Sequence, residues 1–230
     1  MNAAQTCRWH PVADRDAMGV RAAARIVAAA ARALDARGQF HIVLAGGNTP
    51  VGTYARLRGI STDWGAWHVW FGDERCVPVD DTERNSRMAA TAWLDHVALL
   101  PAQVHPIPAE LGAAIGAERY ARTLAKVAEF DLVLLGLGDD GHTASLFPGH
   151  PWGDASGSPA ALAVLDAPKP PPQRVSLSAS RLGFAREVLF LVDGDDKRDA
   201  IAAWRAGELL PAAAIRPAAG VDVIVTAALV

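Results

Sequence analysis

The sequence predicts an α/β fold: a mostly parallel, doubly wound sheet flanked by helices, in one domain spanning residues 1–230. Three observations lead there. Apolar runs of strand length recur at Phe40–Ala45, Phe130–Gly136 and Glu187–Val192. Helical patterns separate most of the strands, and glycine-rich turns follow several of them directly. Uninterrupted Leu/Val runs bounded by Gly read as strands buried on both faces, and strands alternating with helices imply parallel pairing. With 230 residues and 51% hydrophobic content, the chain can bury a full core.

Each element has a local reason. Asp14 or Asp16 caps an Ala-rich helix that Gly38 stops, with Arg21, Arg25 and Arg32 expected on a solvated face. The strand Phe40–Ala45 runs into Gly46-Gly47-Asn48-Thr49-Pro50, which opens a helix with Pro early in its first turn. Trp67–Phe71 is the next strand and leads to Gly72-Asp73-Glu74-Arg75. Helical spacing returns over Asn85–His96, and Pro101, Pro106 and Pro108 then mark a loop. A helix over Leu111–Glu129 feeds the strand Phe130–Gly136. The Pro-rich stretch Asp154–Pro172 reads as an exposed loop with a short strand near Leu162–Leu165. Arg174–Ser178 and Glu187–Val192 are strands, Asp195–Ala206 a helix, and Asp222–Ala227 the last strand of this Rossmann-like order. Six tryptophans, Trp64, Trp67, Trp70, Trp93, Trp152 and Trp204, are expected as core or half-buried anchors.

Composition excludes several classes of function. The net charge is −3 with acids and bases interspersed, which gives no electrostatic footprint for nucleic acid or an anionic membrane. A small molecule is the expected partner, and the sequence leaves the oligomeric state open. Two cysteines without a disulfide framework or signal-peptide pattern point to the cytoplasm. Runs such as Val188–Val192 and Val223–Val230 fall far short of a membrane span.

Four clusters stand at predicted strand ends or helix starts. In Gly46-Gly47-Asn48-Thr49, glycines let backbone approach a ligand and a helix start offers free N–H groups to an anion; the alternative is a plain strand–helix turn. The pattern is neither a Walker A loop nor GxGxxG, so ATP and dinucleotides are not supported. Asp73-Glu74-Arg75, extended by Asp80, Asp81 and Asn85, ends a hydrophobic strand; taken alone it reads as a solvated loop whose Asp and Arg pair locally. In Asp140-Gly141-His142-Thr143, a histidine on a glycine turn at a strand end can take a proton from water and return it. No HExxH or CxxC partner suggests a metal there. Lastly, Arg174 begins a strand, and Lys197 sits on the first turn of a helix, the unfavourable end of its dipole, where an anionic ligand would relieve it.

Together the motifs LAGGNTP (44–50), FGDERCVPVDDTERNS (71–86), LLGLGDDGHTASLFPG (134–149), RVSLS (174–178) and LVDGDDK (191–197) resemble the 6-phosphogluconolactonase family, which shares its fold with glucosamine-6-phosphate isomerase/deaminase. The resemblance implies hydrolysis of 6-phospho-D-glucono-1,5-lactone to 6-phosphogluconate, the second step of the oxidative pentose phosphate pathway, with neither metal nor organic cofactor. It also implies His142 as general base, Arg75 as the group that orients substrate and steadies negative charge, and Asp73 as a group orienting Arg75 or water. Phosphate would rest on the Gly46–Thr49 backbone with Arg174 and Lys197. Asp140 and Asn85 are further candidates. Two departures stand out: Asn48 replaces the more familiar Ser or Arg, and Asn85 precedes Ser86 rather than following a serine.

Two rivals differ in residues. The isomerase/deaminase places Asn-Glu-Pro shortly after the histidine, its glutamate helping to open the sugar ring; here the residues are Leu146-Phe147-Pro148, without a carboxylate. A non-enzymatic sugar-phosphate sensor would keep the phosphate cradle, could lose the base, and would normally carry a DNA-binding module. The stretch before Phe40 has no room for a separate helix-turn-helix, and His142 and Arg75 are kept.

Overall fold

A computed structural model describes residues 5–230. In chain order its strands are β1 (Cys7–Val12), β2 (Phe40–Leu44), β3 (Trp67–Phe71), β4 (Asp73–Arg75), β5 (Val104–His105), β6 (Phe130–Gly136), β7 (Ala161–Val164), β8 (Arg174–Leu177), β9 (Ala185–Val192) and β10 (Val221–Thr226). The helices are α1 (Arg15–Arg37), α2 (Val51–Leu57), α3 (Asn85–Ala92), α4 (Ala113–Leu124), α5 (Ala179–Gly183) and α6 (Arg198–Arg205).

Seven strands form a parallel sheet in the order β1-β10-β9-β6-β2-β3-β5. From β2 the chain moves outward through β3 and β5, then returns to the other side of β2 as β6. The β2/β6 pair is therefore the point where strand order reverses, and the crevice beyond its carboxyl ends is where such sheets bind ligands. The mostly parallel sheet flanked by helices is as the sequence predicts. Its inner strand β6 is buried from Phe130 to Leu135, which explains the unbroken apolar run.

Local chemistry sets the ends of α1. The Asp14 carboxylate accepts from the Ala17 N–H at 2.8 Å, and Gly38 closes the helix at φ +70° with its N–H on the Leu34 carbonyl. Such an N-cap contributes about 1 kcal/mol. Met18, Ala22, Ile26, Ala29, Ala30 and Ala33 form the buried stripe between those caps. Burying a large apolar side chain such as Ile26 contributes roughly 1.5–3 kcal/mol. Trp67, Trp93, Trp70 and Trp204 are core residues, with Trp64 and Trp152 half-buried.

Several expectations are corrected. β4, β8 and β7 form a separate antiparallel sheet, so Arg174–Leu177 is not part of the parallel one. β4 branches from the end of β3 at Gly72, whose N–H donates to Leu44 O and whose carbonyl accepts from the Leu177 N–H. β1 pairs with β10 at the sheet edge, although its sequence, with Arg8 and Pro11, carries no apolar run. The 101–108 loop contains the short edge strand β5, and α4 is shorter than the Leu111–Glu129 pattern. Pro50 lies at the N-cap of α2 rather than inside its first turn, and a 3₁₀ turn over Asp195–Lys197 precedes α6. Nor is the arginine face of α1 merely solvated: Arg25 pairs with Glu187 and Asp222, and Arg32 with Glu187. No helix among the described residues is long and apolar enough to cross a membrane.

Candidate active site

A cleft of about 240 Å³ opens at the carboxyl ends of β2, β3 and β6. Its lining includes Gly46, Gly47, Asn48, Thr49, Asp73, Arg75, Asn85, His142, Arg174 and Lys197. Asp140 stands behind His142 rather than in the wall. The fold thus gathers all the sequence-predicted residues around one cavity.

β6 ends at Gly136, and the tight turn that follows aims His142 back across it. The Gly138 N–H donates to the His142 carbonyl at 2.7 Å, and a Cβ on residue 138 would lie 1.9 Å from His142 Nδ1, so only glycine fits beside the imidazole. Asp140 Oδ1 accepts from the His142 backbone N–H at 3.0 Å and meets ring Nδ1 at 2.5 Å. A carboxylate can only accept, so Nδ1 carries the proton and the Nε2 lone pair is left for chemistry. Burial pushes the His142 pKa below its ordinary value, against the opposing pull of the Asp140 carboxylate. Burial also resists ionisation of Asp140, but the hydrogen bonds from His142 outweigh it and hold that carboxyl below the usual range. The ring is neutral near pH 7, the state a base requires.

Asp139, Asp140 and His142 bring ligand-capable atoms within 4.8 Å of one another. Their groups already have partners: Asp139 pairs with Lys169, and His142 Nδ1 with Asp140. Internal hydrogen bonds account for the cluster without a cation.

The 73–75 segment differs from a solvated loop with local Asp–Arg pairing. Asp73 is buried; its Oδ1 accepts from Asn85 Nδ2 at 3.0 Å and its Oδ2 from Ser145 Oγ at 2.5 Å. Glu74 is wholly buried and accepts from the backbone N–H groups of Arg75, Asn85 and Ser86, with Arg84 Nε at 3.3 Å. Glu74 thereby supplies the N-terminal cap of α3 from another element and fixes Asn85. Gly46 is small for the same reason: a Cβ there would sit 2.1 Å from Asn85 Oδ1. Arg75 hydrogen-bonds the Glu83 carbonyl through Nη1, while its buried Nε has no partner among the described residues. A buried donor without a partner costs stability, and the segment that carries this one lines the cleft.

The two other cations are held differently. Lys197, at the start of α6, pairs with its neighbour Asp196 at 2.8 Å. Arg174 is buried and donates through Nε and Nη2 to the carbonyls of Lys169, Pro170 and Pro171, while Nη1 lies 3.5 Å from Ser145 Oγ. Phe147 is fully buried, with its ring centroid 4.7 Å from that of His142 and the Arg174 guanidinium 5.5 Å above it.

Comparison with known proteins shows the family. Residues 13–224 match the family model described as glucosamine-6-phosphate isomerases/6-phosphogluconolactonase. A Mycobacterium leprae protein named 6-phosphogluconolactonase is 39% identical over 221 residues, covering 90% of this chain and 88% of its own. The chain belongs to this family. A Synechocystis 6-phosphogluconolactonase is 41% identical over 184 residues, covering 74% of this chain and 73% of its own. The crystal structure of a 6-phosphogluconolactonase from Thermotoga maritima superposes with a TM-score of 0.88 at 26% identity, covering 96% of this chain and 100% of that one.

Within the family frame, sequence reasoning missed Glu74, Arg84 and Ser145 as parts of the site. Glu74 and Arg84 look like surface charges until β4 and α3 are packed together. Ser145 carried no signal beyond its place in the His142 turn.

Proposed function

We propose that this protein is a 6-phosphogluconolactonase that hydrolyses 6-phospho-D-glucono-1,5-lactone to 6-phosphogluconate, with His142 as the general base. The observation that carries the reading is one cleft lined by an imidazole whose Nδ1 is held by Asp140, an arginine, a glycine-rich turn and a lysine.

The chemistry follows from the groups. His142 Nε2 takes a proton from water as the oxygen attacks the lactone carbonyl. The carbonyl π-electrons move onto oxygen, and Arg75 beside that tetrahedral oxyanion supplies hydrogen bonds and positive charge. Asp73 does not bond Arg75, so its part is to orient the attacking water. Collapse of the intermediate breaks the bond to the ring oxygen, which receives the proton from His142; the new acid then ionises. Phosphate is held by the Gly46–Thr49 backbone and Lys197, with Arg174 Nη1 adding charge. An anchor distant from the carbonyl fixes the substrate so that water and carbonyl meet. Two free cysteines and the nature of the substrate favour a cytoplasmic enzyme.

The deaminase reading needs a carboxylate for ring opening, and Phe147 stands at that place, wholly buried against His142. A sensor would have no use for an imidazole fixed in one tautomer by Asp140. Side-by-side assays decide: lactone hydrolysis well above the spontaneous rate is expected, with no ammonia from glucosamine 6-phosphate. Ammonia release without lactone hydrolysis would overturn the assignment, and tight phosphosugar binding with neither activity would favour the sensor.

A further inference from the structure

Ser145 lies three residues beyond the histidine, almost fully buried at 1% exposure, where three elements meet. Its hydroxyl donates to Asp73 Oδ2 at 2.5 Å, and its own backbone N–H donates to Ser176 Oγ at 3.2 Å. Ser176 is the residue opposite Asp73 in the β4/β8 ladder, so Ser145 clips the His142 turn onto both strands of that pair. Arg174 Nη1 reaches the same hydroxyl at 3.5 Å.

The backbone that delivers Ser145 is strained. Ala144 has φ +49°, a conformation that residues with a Cβ seldom adopt, and it lines the cleft. Such strain persists where the surroundings over-determine the geometry, and it clusters at functional sites. Here the turn takes an unfavourable angle at Ala144, and the residue it brings inward bonds to Asp73.

Asp73 depends on that contact. No cation lies within ion-pairing distance of its carboxylate among the described residues; one oxygen rests on Asn85 and the other on Ser145. Two neutral donors at opposite oxygens set the rotation of a carboxylate as well as its place. Losing one leaves a buried acceptor free to turn toward other partners.

We propose that Ser145 is a positioning residue for lactone hydrolysis: its hydroxyl locks the Asp73 carboxylate in the orientation that places the attacking water. The proposal rests on the lactonase reading above. Ser145 is buried behind the cleft wall rather than in it, and acts through Asp73. Its loss affects turnover more than binding, because Arg174, the one phosphate-anchor residue it meets, keeps its bonds to the carbonyls of Lys169, Pro170 and Pro171, and the glycine turn and Lys197 do not contact it. A misplacement of about 1 Å at a reacting centre costs on the order of 100-fold in rate.

The test is a double-mutant cycle on purified protein, with kcat and KM measured on freshly prepared lactone. Ser145→Ala should lower kcat about 10- to 30-fold with KM within about twofold, and Ser145→Thr, which keeps the hydroxyl, should recover most of the loss. In an Asp73→Asn background the Ser145→Ala change should cost less than about twofold, since the group it positions is already altered. If Ser145→Ala unfolds the chain, the near-isosteric Ser145→Cys, a weak donor, takes its place in the cycle. A Ser145 variant with full kcat, or one whose loss is equally large with and without Asp73, overturns the proposal. A parent chain without lactone hydrolysis overturns the functional reading itself, and is seen before any variant is made.

Discussion

The two ends of the parallel sheet use the same kinds of residue to opposite purpose. At the amino ends of the strands, Asp222 receives Arg8, Arg25 and His10, Glu187 receives Arg25 and Arg32, and Asp131 receives Arg37 and Arg186. A hollow of about 430 Å³ lies there, larger than the 240 Å³ cleft at the other end. Arg32, Arg37 and Arg186, the arginines that line it, are spent on the carboxylates beside them. At the carboxyl ends, among the described residues, Arg75 keeps a buried donor without a partner, and Lys197 pairs with its chain neighbour Asp196. Size does not distinguish a site from a hollow; uncompensated polar groups do. One end pairs its charges with each other, and the other is the end where the proposed reaction needs them.

The sharpest break of this contrast is His142→Ala. General-base loss should lower kcat by about 10²- to 10⁴-fold while inhibition by 6-phosphogluconate stays within about twofold. A loss under tenfold would remove His142 from the chemistry. Next in size is Asp222→Ala at the opposite end. Stripping the partner from several cations, themselves part-exposed, should cost about 2 kcal/mol. With kcat intact, that appears as a melting temperature lower by roughly 4–8 °C. A fall in kcat at a temperature where the variant is folded would mean that the two ends are coupled.

Lys197→Met should then raise KM about tenfold with kcat nearly unchanged, the signature of a phosphate contact kept from ground state to transition state. An unchanged KM would assign the anchor to Arg174 and the glycine turn alone. The smallest effects are read by pH. Because burial lowers the His142 pKa, the acid limb of kcat/KM should fall below 6.5, the ordinary imidazole value. On the neighbouring strands β2, β3 and β5, His41, His68 and His105 stack together, and burial pushes His41 and His105 down to about 4. The unfolded chain takes up those protons near pH 6.5 and the folded chain does not. Their contribution is therefore complete above 6.5 and is lost as pH falls from 6.5 toward 4. The melting temperature should drop across that window, less steeply in His105→Asn.

Legibility followed the range of the interactions. Phe130–Gly136 could be read to the residue, because a strand buried on both faces is apolar throughout. Gly38 and the turns after β2 and β6 were equally plain, since caps and turns are local, and the structure decides for Asp14 over Asp16 as the N-cap. The second sheet was not: β4 is Asp-Glu-Arg, and nothing in three charged residues announces a buried strand. β1 was missed because its only ladder partner, β10, lies more than 200 residues further along. Of the candidate residues, Asn85 gained most, from a residue out of the familiar order with its serine to the group that holds Asp73 Oδ1 and requires Gly46.

By itself the sequence determined the alternation of elements, the glycine turns at the sheet edge and the identities of the groups delivered there, because each depends on neighbours a few residues apart. Its resemblance to the family implies that Phe147 stands where the deaminase has a carboxylate. Only the tertiary structure decided which charges cancel. Asp73 turned out to rest on Asn85 and Ser145 rather than on Arg75, and Glu74 to cap α3 from inside the core. Pairing of buried charges depends on distance and desolvation in three dimensions, and sequence separation records neither.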